Sequence, residues 1–252
     1  MSPGGHDGSG PQPKSARRGL PVVKEDVGTG PPLILLHGLA GSARWWSRNV
    51  PALSQSFRVI TIDLPGFGAS PRGQRLALEG IVDQLAGTMD DLGIERASVI
   101  GHSMGGLIAG GLAAERPDRV ERLILVNAAF LSLARGSVRS VTGPATTLRW
   151  TAPSLLPVLV ADGLRSGPVR LTDASLQLLR ADWREKLPRI EAPTLVIWGE
   201  HDRICPLAIG EQIVAAVPGS RLVVVEGAAH NPMWERSDRF DREVLDFLAH
   251  RP

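Results

Sequence analysis

The stretch Ala97-Ser98-Val99-Ile100-Gly101-His102-Ser103-Met104-Gly105-Gly106 runs from a short apolar strand pattern straight into a helical one, with a serine at the joint. This is a G-x-S-x-G pentapeptide in the context that gives it meaning. A sharp strand-to-helix turn forces the serine into a strained backbone and lifts its hydroxyl clear of the sheet. Glycines on either side permit the turn and the close approach of helix to strand. The helix N-terminus then offers backbone N–H groups and a positive dipole end to a developing oxyanion.

Working outward, five more apolar runs have the same character: Leu33 to Leu36, Arg58 to Ile62, Leu123 to Val126, Leu195 to Trp198 and Leu222 to Val225. Short continuous runs of this kind fit strands buried on both faces of a parallel sheet. Between them, Leu78, Ile81, Val82, Leu85, Met89 and Leu92 recur at helical spacing, with Gly93 behind them as a C-terminal cap. Leu107 through Ala114 predicts a helix stopped at Arg116 by Pro117. Near the end, Phe240, Val244, Phe247 and Leu248 form one apolar stripe. The alternation implies right-handed crossovers and an α/β fold with a doubly wound, mostly parallel sheet.

From about residue 131 to 190 the rhythm breaks. Pro144, Pro153, Pro157, Pro168 and Pro188 are scattered among short helical stretches, with no buried-strand pattern. This predicts a helical cap inserted into a single domain spanning residues 20–252. Residues 1–19, rich in Gly, Pro and Ser, predict a disordered tail with no signal-peptide core or membrane span. A net charge of +2 gives no field suited to nucleic acid, and one cysteine, Cys205, excludes a disulfide within the chain. A cytoplasmic location fits that cysteine usage. The absence of tyrosine excludes any mechanism that needs a phenol.

A serine hydroxyl needs a base, and the base needs an orienting acid. His230 lies in the small-residue loop Gly227-Ala228-Ala229-His230-Asn231-Pro232, just after a strand. The acid is expected in Gly199-Glu200-His201-Asp202, after the strand before it. Asp202 is preferred and Glu200 is its rival. The order Ser103, Asp202, His230 along the chain is the order used when a G-x-S-x-G serine crowns such a sheet. The loop His37-Gly38-Leu39-Ala40-Gly41-Ser42 supplies the second oxyanion donor, the N–H of Leu39, beside that of Met104. His37 is expected to buttress this loop, and Asp63 and Ser70 to bond backbone groups of the next turn.

Taken together these stretches resemble the alpha/beta hydrolase superfamily, in its single-domain serine-hydrolase branch. The matching elements are His37-Gly38 with Gly41-Ser42, Asp63 through Gly68, Gly101 through Gly106, Gly199 through Asp202, and His230-Asn231-Pro232. They run in register from about Val27 to Leu248. The resemblance implies up to eight strands, a helical cap over the site and no cofactor or metal. Only about Leu20 to Val27 remains for the usual first hairpin, so the first edge strand is expected to be short or absent. Haloalkane dehalogenases and epoxide hydrolases of this fold use an Asp nucleophile, where this chain has Ser103. C–C hydrolases share the triad but commonly carry Asn before the nucleophile, where this chain has His102.

The expected activity is hydrolysis of a carboxylic ester, or a related apolar acyl substrate, through an acyl-enzyme on Ser103. The alternatives are a C–C hydrolase of a vinylogous diketone, a perhydrolase or haloperoxidase-like enzyme with the same triad, and a ligand-binding protein that retains the triad. The partner is a small-molecule substrate, with no nucleic acid and no membrane; oligomeric state is not fixed by the sequence. Gly38, Trp45, Trp150 and Trp183 are candidate substrate contacts. The insertion is basic: from Leu131 to Ile190 there are nine Arg or Lys against four Asp or Glu, which favours either a carboxylated substrate or a solvated cap surface. Cys205 is expected to be a packed thiol.

Overall fold

A computed structural model of the chain describes residues 21–71, 75–130 and 147–249. The strands are β1 (Val22–Val27), β2 (Pro32–Leu36), β3 (Arg58–Asp63), β4 (Ala97–His102), β5 (Val120–Val126), β6 (Thr194–Gly199) and β7 (Arg221–Val225). They form one sheet in the order β1-β3-β2-β4-β5-β6-β7. All pairings are parallel except β1 with β3, which is antiparallel. Every predicted apolar run is a strand. The exception to expectation is β1, which is neither short nor absent. Its Val22 and Val27 pair with Asp63 and Val59, so it runs along most of β3, and its exposed Lys24, Glu25 and Asp26 face solvent.

The helices are α1 (Val50–Leu53), α2 (Ile81–Asp91), α3 (Met104–Glu115), α4 (Leu156–Ser166), α5 (Pro168–Arg180), α6 (Leu207–Ala216), α7 (Pro232–Glu235) and α8 (Ser237–Ala249). Side chains alternate across each strand, so the sheet has two cores. Ile34, Ile60, Val99, Leu125 and Trp198 pack on one face with α2, α3 and α6. Leu33, Val59, Ile100, Ile124 and Ile197 pack on the other with Trp46 and the Phe240–Val244 stripe of α8. The predicted start of α2 at Leu78 falls three residues early: Gly80 adopts φ +78° and turns the chain into the helix, leaving Leu78 buried ahead of it. Gly93 does cap the far end, at φ +67°.

Helix α3 is apolar all round and buried from Met104 to Ala114, the pattern of a helix enclosed by protein on every side. The described part of the segment between β5 and β6 holds α4, α5 and two short 3-10 turns, with no strand among the described residues. The tail over residues 1–19 and the first part of the expected cap, residues 131–146, lie outside the described residues.

Candidate active site

The six parallel strands, β2 to β7, all end at the C-terminal edge of the sheet, where open α/β sheets bind ligands. The turn after β4 holds Ser103 at φ 52°, ψ −116°, a conformation that a non-glycine residue adopts only when its surroundings enforce it. The enforcement is visible. The Ser103 N–H donates to the Val126 carbonyl at 2.9 Å, and its own carbonyl accepts from Ala129, Gly106 and Leu107. A methyl on Gly105 would sit 2.5 Å from the Leu36 carbonyl, so only glycine lets α3 lie this close to β2. Gly106 and Leu107 bond back to Ser103, which leaves Met104 and Gly105 as first-turn amides without an intrahelical partner.

Beyond β6, Asp202 is buried and its carboxylate is fully engaged. Oδ1 accepts the N–H groups of Ile204 at 2.7 Å and Cys205 at 3.0 Å. Oδ2 accepts Nδ1–H of His230 at 2.8 Å and the side-chain amide of Asn127. A carboxylate has no proton to give here, so His230 carries its proton on Nδ1 and leaves the lone pair of Nε2 free of it. The rival Glu200 instead accepts the Gly227 N–H and faces His201 at 3.4 Å, away from His230.

The loop after β2 closes over Ser103. A Cβ on Gly38 would lie 3.0 Å from Ser103 Cβ and 2.8 Å from His102 Nδ1, so the Gly38-Leu39 backbone runs directly beside the serine. Ala40 takes φ +62° and Gly41 N–H closes on the Gly38 carbonyl. His37 buttresses this loop: it accepts the Leu64 N–H on Nε2 and donates Nδ1–H to the Gly38 carbonyl at 2.7 Å. Burial pushes its pKa down, against that bond and the charges of Asp63 and Asp162, so it stays neutral. Asp63 accepts the N–H groups of Ala43 and Ala69, and Ser70 that of Gly66, as turn-forming residues do.

The proposed substrate contacts part ways. Gly38 lies at the serine. Trp45 is buried near it, with its ring 5.6 Å from that of His102, but its N–H is spent on Asp162. Trp46 is core, against Phe240. Trp150 is 37% exposed and stacks on His201. Trp183 packs on Gly111, two turns along α3 from the serine, or about 12 Å. It lines a groove of about 620 Å³ with Leu78, Asp83 and Lys186 that contains none of Ser103, Asp202 and His230. Distance along α3 thus removes Trp183 from the serine, and stacking on the surface gives Trp150 a different partner.

Asp202, Cys205 and His230 place one donor atom each within 4.8 Å of one another, a spacing a metal ion would accept. The donors do not suit one. Burial and the charge of Asp202 push the Cys205 thiol well up, so it holds its proton, and both Asp202 oxygens are already bonded. Cys205 is a packed thiol.

A family model described as the alpha/beta hydrolase fold matches residues 31–149 and 172–237. The chain belongs to the alpha/beta hydrolase fold family. It is 34% identical to a 2-hydroxy-6-oxononadienedioate/2-hydroxy-6-oxononatrienedioate hydrolase of Comamonas testosteroni, over 89% of this chain and 90% of that one. It is 33% identical, over the same shares, to a 2-hydroxy-6-oxo-6-phenylhexa-2,4-dienoate hydrolase of Burkholderia cepacia. Among solved structures, the enol-lactonase from Burkholderia xenovorans LB400 is 30% identical with a TM-score of 0.75, covering 91% of this chain and 96% of that one.

Around the site, Asn127 and Glu235 escape the sequence reading, and His102 enters it only as the residue before the nucleophile. Asn127, fully buried at φ +44°, bonds Asp202, the Ala229 carbonyl and the Gly199 N–H. His102 donates Nε2–H to the His230 carbonyl at 2.7 Å, while its Nδ1 has no partner among the described residues. Burial first, then the neighbouring His230, holds its pKa well below the usual imidazole value. Glu235 accepts the Ala229 N–H one residue before His230, and burial pushes its pKa up. The signal for Asn127 was present: it follows β5 at the same sheet edge where Asp63 ends β3 and Ser103 and Asp202 follow their strands.

Proposed function

We propose that this chain is a serine-type hydrolase that cleaves the C–C bond of a vinylogous diketone, a 2-hydroxy-6-oxo-dienoate. The observation that carries this reading is the set of relatives, 31–34% identical over about nine-tenths of their length, each named for such a substrate. The ester expected first from the sequence therefore takes second place.

The geometry suits the chemistry. Ser103 Oγ attacks the 6-keto carbonyl as His230 Nε2 takes its proton, and Asp202 stabilises the imidazolium. The N–H groups of Leu39 and Met104 hold the tetrahedral oxyanion, each such donor being worth about 3 kcal/mol. A C–C bond breaks only if the departing carbon can carry the electron pair. In the keto tautomer of such a substrate the pair passes along the conjugated chain to the 2-oxo group. The fragment takes the proton from His230 and leaves as a dienol acid. Water then repeats the cycle on the acyl-enzyme and releases a carboxylic acid. The excess of Arg and Lys between Leu131 and Ile190 supports an anionic substrate.

A second reading, hydrolysis of an ester or enol-lactone through the same acyl-enzyme, is favoured by His102 standing where C–C hydrolases commonly carry Asn, and by the likeness to the enol-lactonase. The test is turnover of 2-hydroxy-6-oxo-hexa-2,4-dienoates, followed by loss of their dienolate absorbance, beside an enol-lactone and nitrophenyl esters. Rapid dienoate cleavage abolished in Ser103→Ala and His230→Ala is expected. Turnover of lactones or esters alone would select the second reading, and dienoate cleavage surviving in Ser103→Ala would overturn the nucleophile.

A further inference from the structure

Helix α4 packs Val158 and Leu159 partly against the core, yet the residues it buries fully are not apolar. Its buried residues are Asp162 and Ser166, both polar, while Val160 and Leu164 are 60% and 79% exposed. Burying a carboxylate is costly unless donors meet it. Here three do, all from one short segment some 120 positions earlier in the chain. Asp162 Oδ2 accepts Ser42 Oγ–H at 2.8 Å and Trp45 Nε1–H at 3.1 Å, and Oδ1 accepts the Arg44 guanidinium. That segment directly follows the Gly38–Gly41 turn. From the sheet side the same segment is held by Asp63, through the Ala43 N–H at 2.7 Å. Residues 42–45 are thus gripped between one carboxylate on β3 and another on α4.

Trp45 carries this grip inward. Its ring lies against Gly41, where a Cβ would stand 2.9 Å from it, and against the His102 ring. His102 in turn donates to the His230 carbonyl. We infer that Asp162 is a positioning residue: seating α4 on Ser42 and Trp45 sets the oxyanion loop on one side and, through His102, the base on the other. This rests on the proposed roles of Leu39 and His230. Arg44 is more than half exposed, so its ion pair is a bystander and the two bonds to Oδ2 do the positioning.

The test compares Asp162→Ala, Asp162→Leu, Asp162→Asn and Arg44→Ala, by steady-state kinetics on the best substrate and by hydrogen exchange of the amides of residues 38–45. Ala and Leu should each lower kcat about 10- to 100-fold with KM changed less than about threefold, since a small misplacement of reacting groups acts on the chemical step. Asn keeps an oxygen for Ser42 and Trp45 and should recover kcat to within about threefold, as should Arg44→Ala. Exchange in residues 38–45 should quicken roughly tenfold in Ala and Leu while β4 and β5 hold their protection. Exchange needs no substrate, so it decides the matter even if the proposed reaction fails. Wild-type kcat and exchange in Asp162→Leu would overturn the inference, as would an Asn variant no better than Ala. Should Ala not fold, Trp45→Phe, which removes the N–H, is expected to show the same kcat loss and faster exchange; wild-type behaviour there would equally overturn it.

Discussion

Replacing Asn127 by Ala should separate orientation of Asp202 from its mere presence. The side chain makes three buried hydrogen bonds, one as donor to the Asp202 carboxylate, one as donor to Ala229 and one as acceptor from Gly199. Truncation leaves a buried carbonyl and a buried N–H without partners, and each such group costs about 1–3 kcal/mol. Alanine also tolerates the observed φ of +44° less well than asparagine, which adds a fraction of a kcal/mol. The sum is a loss of about 2–6 kcal/mol, or a fall in Tm of at least about 5 °C for a domain of this size. Activity should suffer separately, with kcat down about 10- to 100-fold, because groups that orient a functional residue from behind have effects of that order. Asn127→Asp should be worse for kcat than Ala, since it sets a second carboxylate against Asp202. Thermal melts with initial rates on the best dienoate or ester read both effects. An Ala variant that melts within about 2 °C of wild type at unchanged kcat would refute the reasoning.

Burial, opposed by a bond from Asn49 and aided by Asp238, raises the Asp241 pKa to about 6. The folded state therefore binds the proton more tightly than the unfolded chain, so this residue favours folding at low pH and its penalty grows as pH rises from about 4 to 6. Urea midpoints of Asp241→Asn minus wild type should be larger at pH 7.5 than at pH 4.5. Gly105→Ala should cost about 3 kcal/mol or more in a urea melt, because its new methyl meets the backbone carbonyls of Leu36 and His37. Gly163→Ala, in open space within α4, should instead gain about 0.5–1 kcal/mol in the same melt. His102→Ala should lower kcat roughly tenfold, yet leave the midpoint of the acid limb of the pH–rate profile in place, because His102 is already neutral there.

Much of this was legible in the sequence, for physical reasons. A strand buried on both faces must be apolar throughout, so runs such as Leu33–Leu36 and Leu195–Trp198 announced themselves. The serine turn needs glycines at fixed offsets, so Gly101 and Gly105 marked it. Following strand ends singles out Asp202 and His230, and the structure joins them by a hydrogen bond. What stayed hidden depends on contacts far apart in the chain. Asn127 looks like an ordinary loop residue until β5 and β6 lie side by side. Asp162 looks like an ordinary surface carboxylate on α4 until that helix meets residues 42–45. The tryptophans misled because a large apolar side chain suits a pocket wall and a helix contact equally, and Trp183 took the contact offered by Gly111. The edge strand β1 was underestimated because its Lys24-Glu25-Asp26 run is polar, as an edge can be.

The enclosure of α3 has a consequence for ionic strength. Its N-terminal amides meet Ser103 through protein, and mobile ions screen charges only where they have access, over about 8 Å at physiological salt. The arginines of the insertion, among them Arg149, Arg165 and Arg180, are open to solvent and have no such shelter. Added salt should therefore weaken the attraction of an anionic substrate, raising KM, and leave the field at the oxyanion untouched. Capture and chemistry in this protein respond to different solvents, one aqueous and one made of the chain itself.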